Sequence, residues 1–379
     1  MSYSFKLTYT LLAETPIIHF QHAQSGAALR ATEVKPKLDK YLKKRAAEKG
    51  LSTAAWKLTG QDALNYKMRI THKAPESTGG IVELGQKTDY DIFYGNMGSQ
   101  MPKKGVKSDL VLEIICFISE LRELIDAVIG DFFIVTNFGT MQDKGFGSFT
   151  VDGRDNSAAH IAECLRAEYS AEKCYTFDGG RAPFKRIKTV YALMKSGINV
   201  VRFDAGDMRV SDPGKYTRSM LFEFMHDEYD MGNDKAWLKQ TGIGVAIGRQ
   251  TAQLDAKPRY VRALLGVGDH IDFLRTLEKR TGKVNVKITS DAVKRFSSPI
   301  LFKIIGGKVY YTARRLDDAI YGAAFTFSSQ SCKAGKVLRV PEKEELGEDF
   351  IDRFLEYCLG RLNAALPKYN EKFTITEVQ

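Results

Sequence analysis

An apolar helical repeat that runs directly into a glycine-rich segment constrains the fold more than any other stretch of this sequence. Apolar residues recur there at spacings of three and four, at Leu121, Leu124, Ile125, Val128, Ile129, Phe132 and Phe133. The glycine-rich segment begins at Gly139 and ends at Gly147, and the β-favouring residues 149–151 follow it. This order predicts a buried helix, a loop with several tight turns and a short strand.

The rest of the N-terminal half supplies the other elements of a small layered domain. Residues 3–13 and 110–118 are rich in β-branched, aromatic and aliphatic residues and are predicted to be strands. A helix is predicted from about Thr32, which would cap it, with Val34 and Leu38 on its apolar face and lysines on the other face. The order strand, helix, strands, helix, strand is typical of an α/β (α+β) ferredoxin-like, or RRM-like, domain with helices on one face of an antiparallel sheet.

A chain of 379 residues is long for one domain, so two domains are expected. We place them at residues 1–155 and 156–379. In the second half, Gly306 and Gly307 separate two apolar segments and indicate a hairpin, and residues 351–362 form an apolar helical repeat. The prediction is a second, diverged ferredoxin-like domain with long insertions, although its sequence does not visibly repeat the first half.

The charge distribution favours a polyanionic partner. The formal net charge is +10 and the isoelectric point is about 9.1, and Lys and Arg gain affinity for nucleic acids by releasing counterions. The positive charge is concentrated in residues 30–49, 181–209 and 275–295, whereas residues 342–356 are acidic. Lysine-rich helix faces are also common as plain solvated surfaces, so charge alone does not decide the function.

Several functional classes are excluded or disfavoured by what the sequence lacks. Its five cysteines are scattered and form no CxxC pair, which argues against a disulfide framework or a thiolate zinc site and predicts neither a metal nor a cofactor. Neither a secretory leader nor a run of about 18 apolar residues is evident, so the chain is expected to be cytoplasmic, soluble and without membrane contact. Motifs of P-loop nucleotide sites, serine hydrolases and zinc proteases are also missing.

The segment 137–147 carries the most specific chemical signal. Glycines permit positive φ and close backbone approach, and successive amide N–H groups in such a turn can surround an anion. Lys144 would add positive charge for a phosphate, and phenylalanine rings at the loop ends would pack in the core or stack on bases. We therefore predict RNA contacts at Gly139, Lys144, Gly145, Phe146 and Gly147.

Three known patterns resemble parts of this segment. A kinase glycine loop resembles residues 145–151 but has a further glycine, and an RNA-recognition-motif strand resembles residues 144–151 but has an aromatic residue in place of Ser148. The segment is more similar to the glycine loop of the RAMP superfamily of CRISPR-associated proteins, which follows the second helix of a ferredoxin-like fold. The match covers Phe138, Gly139, Lys144, Gly145, Phe146 and Gly147. It departs at Asn137, where the family has glycine, although Asn tolerates left-handed geometry.

A second region supports the same resemblance. Residues 15–19 and 28–35 resemble the family's first strand and the loop that enters its first helix. Within the superfamily, the chain is most similar to the large two-domain subunit at the end of type III-B (Cmr-type) effector complexes, and residues 296–301 resemble a run in that subunit's second half. The resemblance implies an antiviral ribonucleoprotein in which the chain contacts CRISPR RNA, target RNA and other protein subunits, binding RNA without cutting it. On the first helix and its entry loop, the expected RNA contacts are Arg30, Lys35 and Lys37.

Two alternative functions remain open. The chain could be a metal-independent endoribonuclease that processes CRISPR RNA, with His19 or His22 accepting the 2′-hydroxyl proton and a lysine stabilising the phosphate. Histidines at a loop edge more often form structural hydrogen bonds or touch RNA, so no catalytic residue is predicted. The chain could also be an assembly protein whose glycine loop binds a neighbouring subunit without RNA contact.

Overall fold

The structure of the chain is a computed structural model, and it describes most of the sequence. The described residues are 5–18, 28–73, 80–85, 88–91, 104–203, 209–232, 234, 237–238, 258–277, 280–330 and 332–379. Side-chain burial is described for these residues except 200, 201–203, 209–215, 272–277 and 280–284.

The first half forms an antiparallel sheet covered by helices. Its elements are β1 (Lys6–Ala13), α1 (Ala31–Glu48), β2 (Lys67–His72), β3 (Ile81–Glu83), β4 (Lys104–Val106), β5 (Leu110–Ile115), α2 (Ser119–Val135), β6 (Phe149–Val151) and α3 (Ala158–Tyr169). The sheet order is β2-β5-β1-β6 with every neighbouring pair antiparallel, and β3 pairs with β4 in an insertion between β2 and β5. The series β1, α1, β2, β5, α2, β6 therefore has the ferredoxin-like order, which confirms the prediction.

The two main helices of this domain differ in how they begin and what they bury. Helix α2 buries almost its whole apolar face against the sheet, from Leu121 to Phe133, as its periodicity predicts. Helix α1 begins at Ala31, with Arg30 in the capping position and no side chain bonded to the free amides. The prediction that Thr32 caps this helix is wrong, because Thr32 already lies inside the first turn.

The second half repeats the ferredoxin-like order with large insertions. Its elements are β7 (Tyr175–Asp178), α4 (Pro183–Lys195), β8 (Ile198–Phe203), β9 (Arg209–Thr217), α5 (Met220–Tyr229), β10 (His270–Leu277), β11 (Arg280–Thr289), β12 (Ile300–Ile305), β13 (Lys308–Ala313), β14 (Ala324–Ser329), β15 (Cys332–Arg339), α6 (Lys343–Leu346), α7 (Phe350–Ala365) and β16 (Thr376–Glu377). One sheet has the order β12-β13-β7-β16 with antiparallel neighbours. The series β7, α4, β12, β13, α7, β16 thus matches the first half position by position, and the fold is a tandem of ferredoxin-like domains.

Insertions into the second domain build a further sheet. One insertion lies between α4 and β12 and the other between β13 and α7, and together they form a sheet with the order β10-β11-β14-β15. The hairpin of β12 and β13 turns at Gly306 and Gly307, both at positive φ, as the sequence predicts. The core sheet of the second domain therefore assembles from segments that lie far apart in the chain.

The described side chains form two apolar clusters, and each includes residues from both halves of the chain. Helix α3 contributes Ile161 and Leu165 to the cluster of the first domain, and the second half contributes Ile305 and Tyr310 to that same cluster. The domain division after residue 155 stays a prediction. Among the described helices, none combines the length and the apolar character that crossing a membrane requires.

Gly147 marks the closest backbone approach in the glycine loop. It lies at φ +67°, and a Cβ atom there would overlap the carbonyl group of Phe138. Phe138 and Gly147 are also joined by a hydrogen bond from the Phe138 amide to the Gly147 carbonyl at 3.0 Å. The two ends of the loop can close only because residue 147 lacks a side chain.

We expect Gly147→Ala to destabilise the protein far more than Gly153→Ala. Gly153 also has positive φ (+75°), but a Cβ there meets no atom within 4 Å, so its replacement costs only the left-handed strain of about 1–2 kcal/mol. Gly147→Ala adds a clash with backbone atoms that cannot rotate away. Urea unfolding of the two variants measures the difference, and equal losses of unfolding free energy would contradict the role given to Gly147.

Candidate nucleic-acid interface

A groove of about 560 Å³ lies between the two halves of the chain. Its first wall is the lysine face of α1, and its floor is the tip of the glycine loop. Its second wall comes from the second domain, where residues 297–299 lead into β12 and Arg314 follows β13. The polar lining residues are Lys37, Lys40, Lys44, Thr136, Asn137, Gln142, Asp143, Glu168, Ser297, Ser298 and Arg314. The run 296–301, noted in the sequence, thus contributes to the same groove as the glycine loop.

The carboxylates that line the groove are held by neighbouring cations. Glu168 accepts hydrogen bonds from Lys44 and Arg45, each at 2.9 Å. Asp143 accepts one from Lys144 at 2.6 Å. Because these negative charges are balanced within the protein, the remaining cations give the groove a surplus of positive charge.

Three cations remain on opposite walls of the groove. The Nζ atom of Lys37 donates to Gln142 Oε1 at 2.8 Å, and burial lowers the pKa of Lys37 while Glu33 raises it. Lys40 is exposed, and no ion pair joins it to another residue in the described ranges. Arg314 is exposed on the second wall and donates to the hydroxyl of Ser297 at 2.7 Å. Lys40 and Arg314 can approach an anionic chain without first breaking an ion pair described in the structure. Lys37 is paired with Glu33 at 3.7 Å, so an anion would compete with that carboxylate for its charge.

The structure does not bring all the predicted basic contacts together. Lys35 lies on the other side of α1, beside a separate groove of about 1020 Å³. Its Nζ atom donates to Asp39 Oδ2 at 3.1 Å and to the carbonyl of Leu64 at 2.8 Å. Arg30 is exposed at the N-terminal end of α1. Of these three predicted contacts, Lys37 is the one that lines the groove between the two halves of the chain.

The amide groups of the glycine loop bind other parts of the protein. The Gly139 amide donates to the carboxylate of Glu33 at 2.6 Å, and the Gly147 amide donates to the carbonyl of Pro16 at 2.8 Å. The acceptor at Gly139 is therefore a protein carboxylate where the sequence predicts a phosphate. An RNA phosphate would have to displace Glu33 to use this amide.

The inner part of the glycine loop is enclosed between the domains. Four predicted RNA contacts are buried there: Lys144, Gly145, Phe146 and Gly147. The Lys144 side chain is 2% exposed and lies over the ring of Tyr191 at 4.3 Å, and Phe146 stacks on Phe184 with ring centroids 3.9 Å apart. RNA contact by these four residues stays a prediction, and it would require the domains to separate.

Asn137, which departs from the family pattern, bridges the two domains. Its Nδ2 atom donates to the carbonyls of Gln142 at 2.6 Å and Phe302 at 3.1 Å. Asn137 does not use the left-handed geometry that Asn tolerates, because the positive φ of a non-glycine residue in this loop belongs to Met141. Asn137 is suited to its position by its amide side chain, which a glycine could not supply.

Lys303 is the residue of the interface that the sequence analysis missed. Its buried Nζ atom donates to the carbonyls of Phe133 at 2.7 Å and Thr136 at 3.0 Å, and to Asn137 Oδ1 at 3.0 Å. It thus places a cation at the C-terminal end of α2, where the helix dipole is negative. Burial lowers the pKa of Lys303 to about 7. The sequence feature that could have revealed Lys303 is its position as a single lysine inside the apolar strand Ile300–Ile305.

The residues of the nuclease alternative are not described. His19 and His22 lie outside the described residues, so the alternative is not tested by the structure. Among the described residues that line the groove there is no histidine.

The fold and the loop together define a class of protein. Two ferredoxin-like domains in tandem, with a glycine-rich loop after the second helix of the first domain, are the architecture of the RAMP superfamily. The chain matches the family model for the Cmr1 N-terminal domain over residues 4–198 and that for the Cmr1 C-terminal domain over residues 216–379. It therefore belongs to the Cmr1 family, whose members are subunits of type III-B CRISPR effector complexes.

The chain is similar to a solved structure along nearly its whole length. The crystal structure of Cmr1 from Pyrococcus furiosus in its apo form is 10% identical, with a TM-score of 0.42, and the match covers 99% of this chain and 98% of that one. No curated protein sequence matches.

The lowered pKa of Lys303 predicts a dependence of stability on pH. Between pH 7 and about 10 the unfolded chain keeps a proton on this amine that the folded chain has released, so the free energy of unfolding rises with pH. The difference between wild type and Lys303→Met should grow with pH over this window by at most about 1.4 kcal/mol per pH unit. Urea unfolding at several pH values measures it.

Lys308→Met is the control for this experiment, since Lys308 is an exposed lysine at the start of the neighbouring strand. Its difference from wild type should stay constant across the same pH range. A constant difference for Lys303→Met would show that its pKa is not lowered in the folded protein.

Proposed function

We propose that this chain binds the sugar-phosphate backbone of RNA in the groove between its two domains. In this proposal it acts as a non-catalytic subunit of a cytoplasmic type III-B CRISPR effector complex. The observation that carries the proposal is the surplus of positive charge contributed by both walls, from Lys37 and Lys40 on α1 and from Arg314 in the second domain. Membership in the Cmr1 family supports the setting, since such complexes are built from several subunits.

The lining of the groove favours contact with the backbone over contact with the bases. Base recognition in single strands usually requires exposed aromatic rings on which bases stack. The rings of Tyr41 and Phe132 at the groove are at most 5% exposed, so their faces are covered by the core. Tyr169 is half-buried there, and its hydroxyl is fixed by a hydrogen bond to the carbonyl of Val135 at 2.6 Å. Cations together with neutral donors such as Gln142 and Ser297 are the groups that bind phosphate and ribose oxygens.

The proposed partners share this chemistry. CRISPR RNA and target RNA carry the same backbone, so a groove that reads the backbone accepts either strand. Position within the assembled complex would then decide which of them the groove holds. The groove contacts are therefore the same for either RNA strand.

A second candidate function is protein assembly without RNA contact, and one surface favours it. Phe5 and Phe117 lie side by side at the end of β1 and β5, with ring centroids 5.1 Å apart and exposures of 47% and 71%. Ile115 is exposed beside them at 40%. Clustered large apolar side chains of this kind mark protein interfaces, and a neighbouring subunit is the occupant that a multi-subunit complex would supply.

The RNA proposal predicts that Lys40→Glu weakens binding of single-stranded RNA by roughly tenfold at low salt. Replacing Lys40 breaks no hydrogen bond or ion pair described in the structure, and this residue lines both the groove between the domains and the groove beside Lys35. The slope of log affinity against log salt should also become shallower by about 0.7 for each phosphate that the variant no longer neutralises. Filter binding or fluorescence anisotropy at several salt concentrations provides both values.

Lys372→Glu is the matched control, since Lys372 is exposed and does not line the groove. It changes the net charge equally and should have a much smaller effect. Equal losses in the two variants would show a diffuse charge effect and contradict the proposed groove. Full binding by Lys40→Glu would also contradict the proposed groove, and absence of RNA binding by the wild type would favour the assembly function.

The non-catalytic role predicts that purified chain leaves labelled repeat RNA intact over hours without divalent metal. Cleavage that disappears in His19→Ala/His22→Ala, with binding retained, would establish the nuclease alternative. Gel analysis of end-labelled RNA distinguishes cleavage from retention in a single experiment.

A further inference from the structure

Helices α2 and α3 bring three side chains with metal-binding atoms together on the surface of the first domain. Asp131 lies on α2, and His160 and Cys164 lie one turn apart on α3. One ligand atom from each falls within 4.8 Å of the other two. The cluster is on the α3 side of the molecule and does not line the groove described above.

The distances within the cluster match the edges of a metal coordination tetrahedron. The Nε2 atom of His160 is 3.5 Å from the sulfur of Cys164 and 3.0 Å from Asp131 Oδ1. With ordinary zinc bond lengths, a tetrahedral site places a sulfur and a nitrogen about 3.5 Å apart, and a nitrogen and an oxygen about 3.3 Å apart. These two edges therefore fit a metal with shifts of a few tenths of an ångström, and the third, from the Cys164 sulfur to an Asp131 oxygen, is no longer than 4.8 Å.

Exposure and charge are also compatible with a cation. The side chains of Asp131 and His160 are 35% and 29% exposed, which leaves a path for the metal and room for a water as fourth ligand. The positive charge of Arg45 acts on Cys164, and this guanidinium is held by Glu48 at 2.7 Å and Glu168 at 2.9 Å. Its charge is therefore largely balanced before a metal arrives.

We propose that Asp131, His160 and Cys164 bind one divalent transition metal ion, with zinc as the best match. Imidazole, thiolate and carboxylate are the ligand types that zinc uses in proteins. The ion joins α2 to α3, the helix that leads from the first sheet to the first strand of the second. Its role is to fix this connection, and it lies apart from the proposed RNA groove.

Little in the sequence indicates this site. His160 and Cys164, at i and i+4 on one helix, supply only two ligands. The third ligand, Asp131, lies on another helix, 29 residues before His160. The expectation of no metal rested on the absence of CxxC pairs, which says nothing about ligands from separate helices. In the resting protein, burial and the nearby carboxylates raise the pKa of the Cys164 thiol to about 12, so metal binding must release a proton.

Cobalt titration of the metal-stripped full chain tests the proposal directly. Wild-type protein should develop a near-ultraviolet thiolate-to-cobalt absorption band that saturates at one equivalent, and zinc should abolish the band by displacement. Cys164→Ser should show no band, and His160→Ala should bind cobalt about tenfold or more weakly. Cys332→Ser is the control, since Cys332 lies on β15 outside the cluster, and it should keep the full band.

The melting temperature with and without zinc is a second measurement, which controls for a variant that fails to fold. Zinc should raise the melting temperature of wild type and of Cys332→Ser, since a ligand that binds the folded state stabilises it, and the shift should be reduced in Asp131→Asn, which keeps the thiol. The absence of a cobalt band in wild type would overturn the proposal. A band that persists in Cys164→Ser, or an undiminished zinc shift in Asp131→Asn, would overturn the assignment of these ligands.

Discussion

The arrangement of the two domains depends on a buried amine from one domain that meets the end of a helix in the other. Lys303, on β12, donates to carbonyls at the C-terminus of α2 and to Asn137 at the start of the glycine loop. Desolvating an amine in this way is unfavourable, and the acceptors and the helix dipole offset the cost only if all of them are in place. The contact therefore specifies one relative position of the domains and so also the spacing of the groove walls.

The glycine loop takes part in this same interface, which changes how its sequence pattern should be understood. Its inner half packs against the second domain, with Phe146 on Phe184 and Lys144 over Tyr191. Its outer half forms the floor of the groove, and the Gly139 amide is bonded to Glu33. The glycines are thus needed for close backbone packing at the domain seam, whatever part the loop tip has in binding RNA.

Much of the fold could be predicted from the sequence because its signals are local. The period of α2, the strand at residues 149–151 and the hairpin at Gly306 and Gly307 each depend on a few neighbouring residues, and all three are confirmed. The repeated strand order of the second domain left no visible sequence repeat, since its strands are paired by contacts across long insertions. Backbone pairing of this kind constrains burial and register much more than residue identity.

The groove and the cluster of Asp131, His160 and Cys164 were harder to predict, because their side chains come from separate elements. The lysine face of α1 was evident from helical spacing, but Arg314 and residues 297–299 reach it only through the tertiary fold. Lys144 was predicted to contact an RNA phosphate, and its burial beside Asp143 follows from the domain interface. Side chains that meet across two domains leave no spacing in the sequence that could reveal them.

The two walls of the groove belong to different ferredoxin-like domains, and this has a thermodynamic consequence. A ligand that touches both walls gains its full binding energy only when the units are docked, so binding and docking must favour each other by the same factor. Occupancy of the groove would then reduce the opening motion of the whole molecule, and any change that loosens the docked state would lower affinity from a distance. The Lys303 contact between the domains would therefore contribute to ligand affinity without touching the ligand.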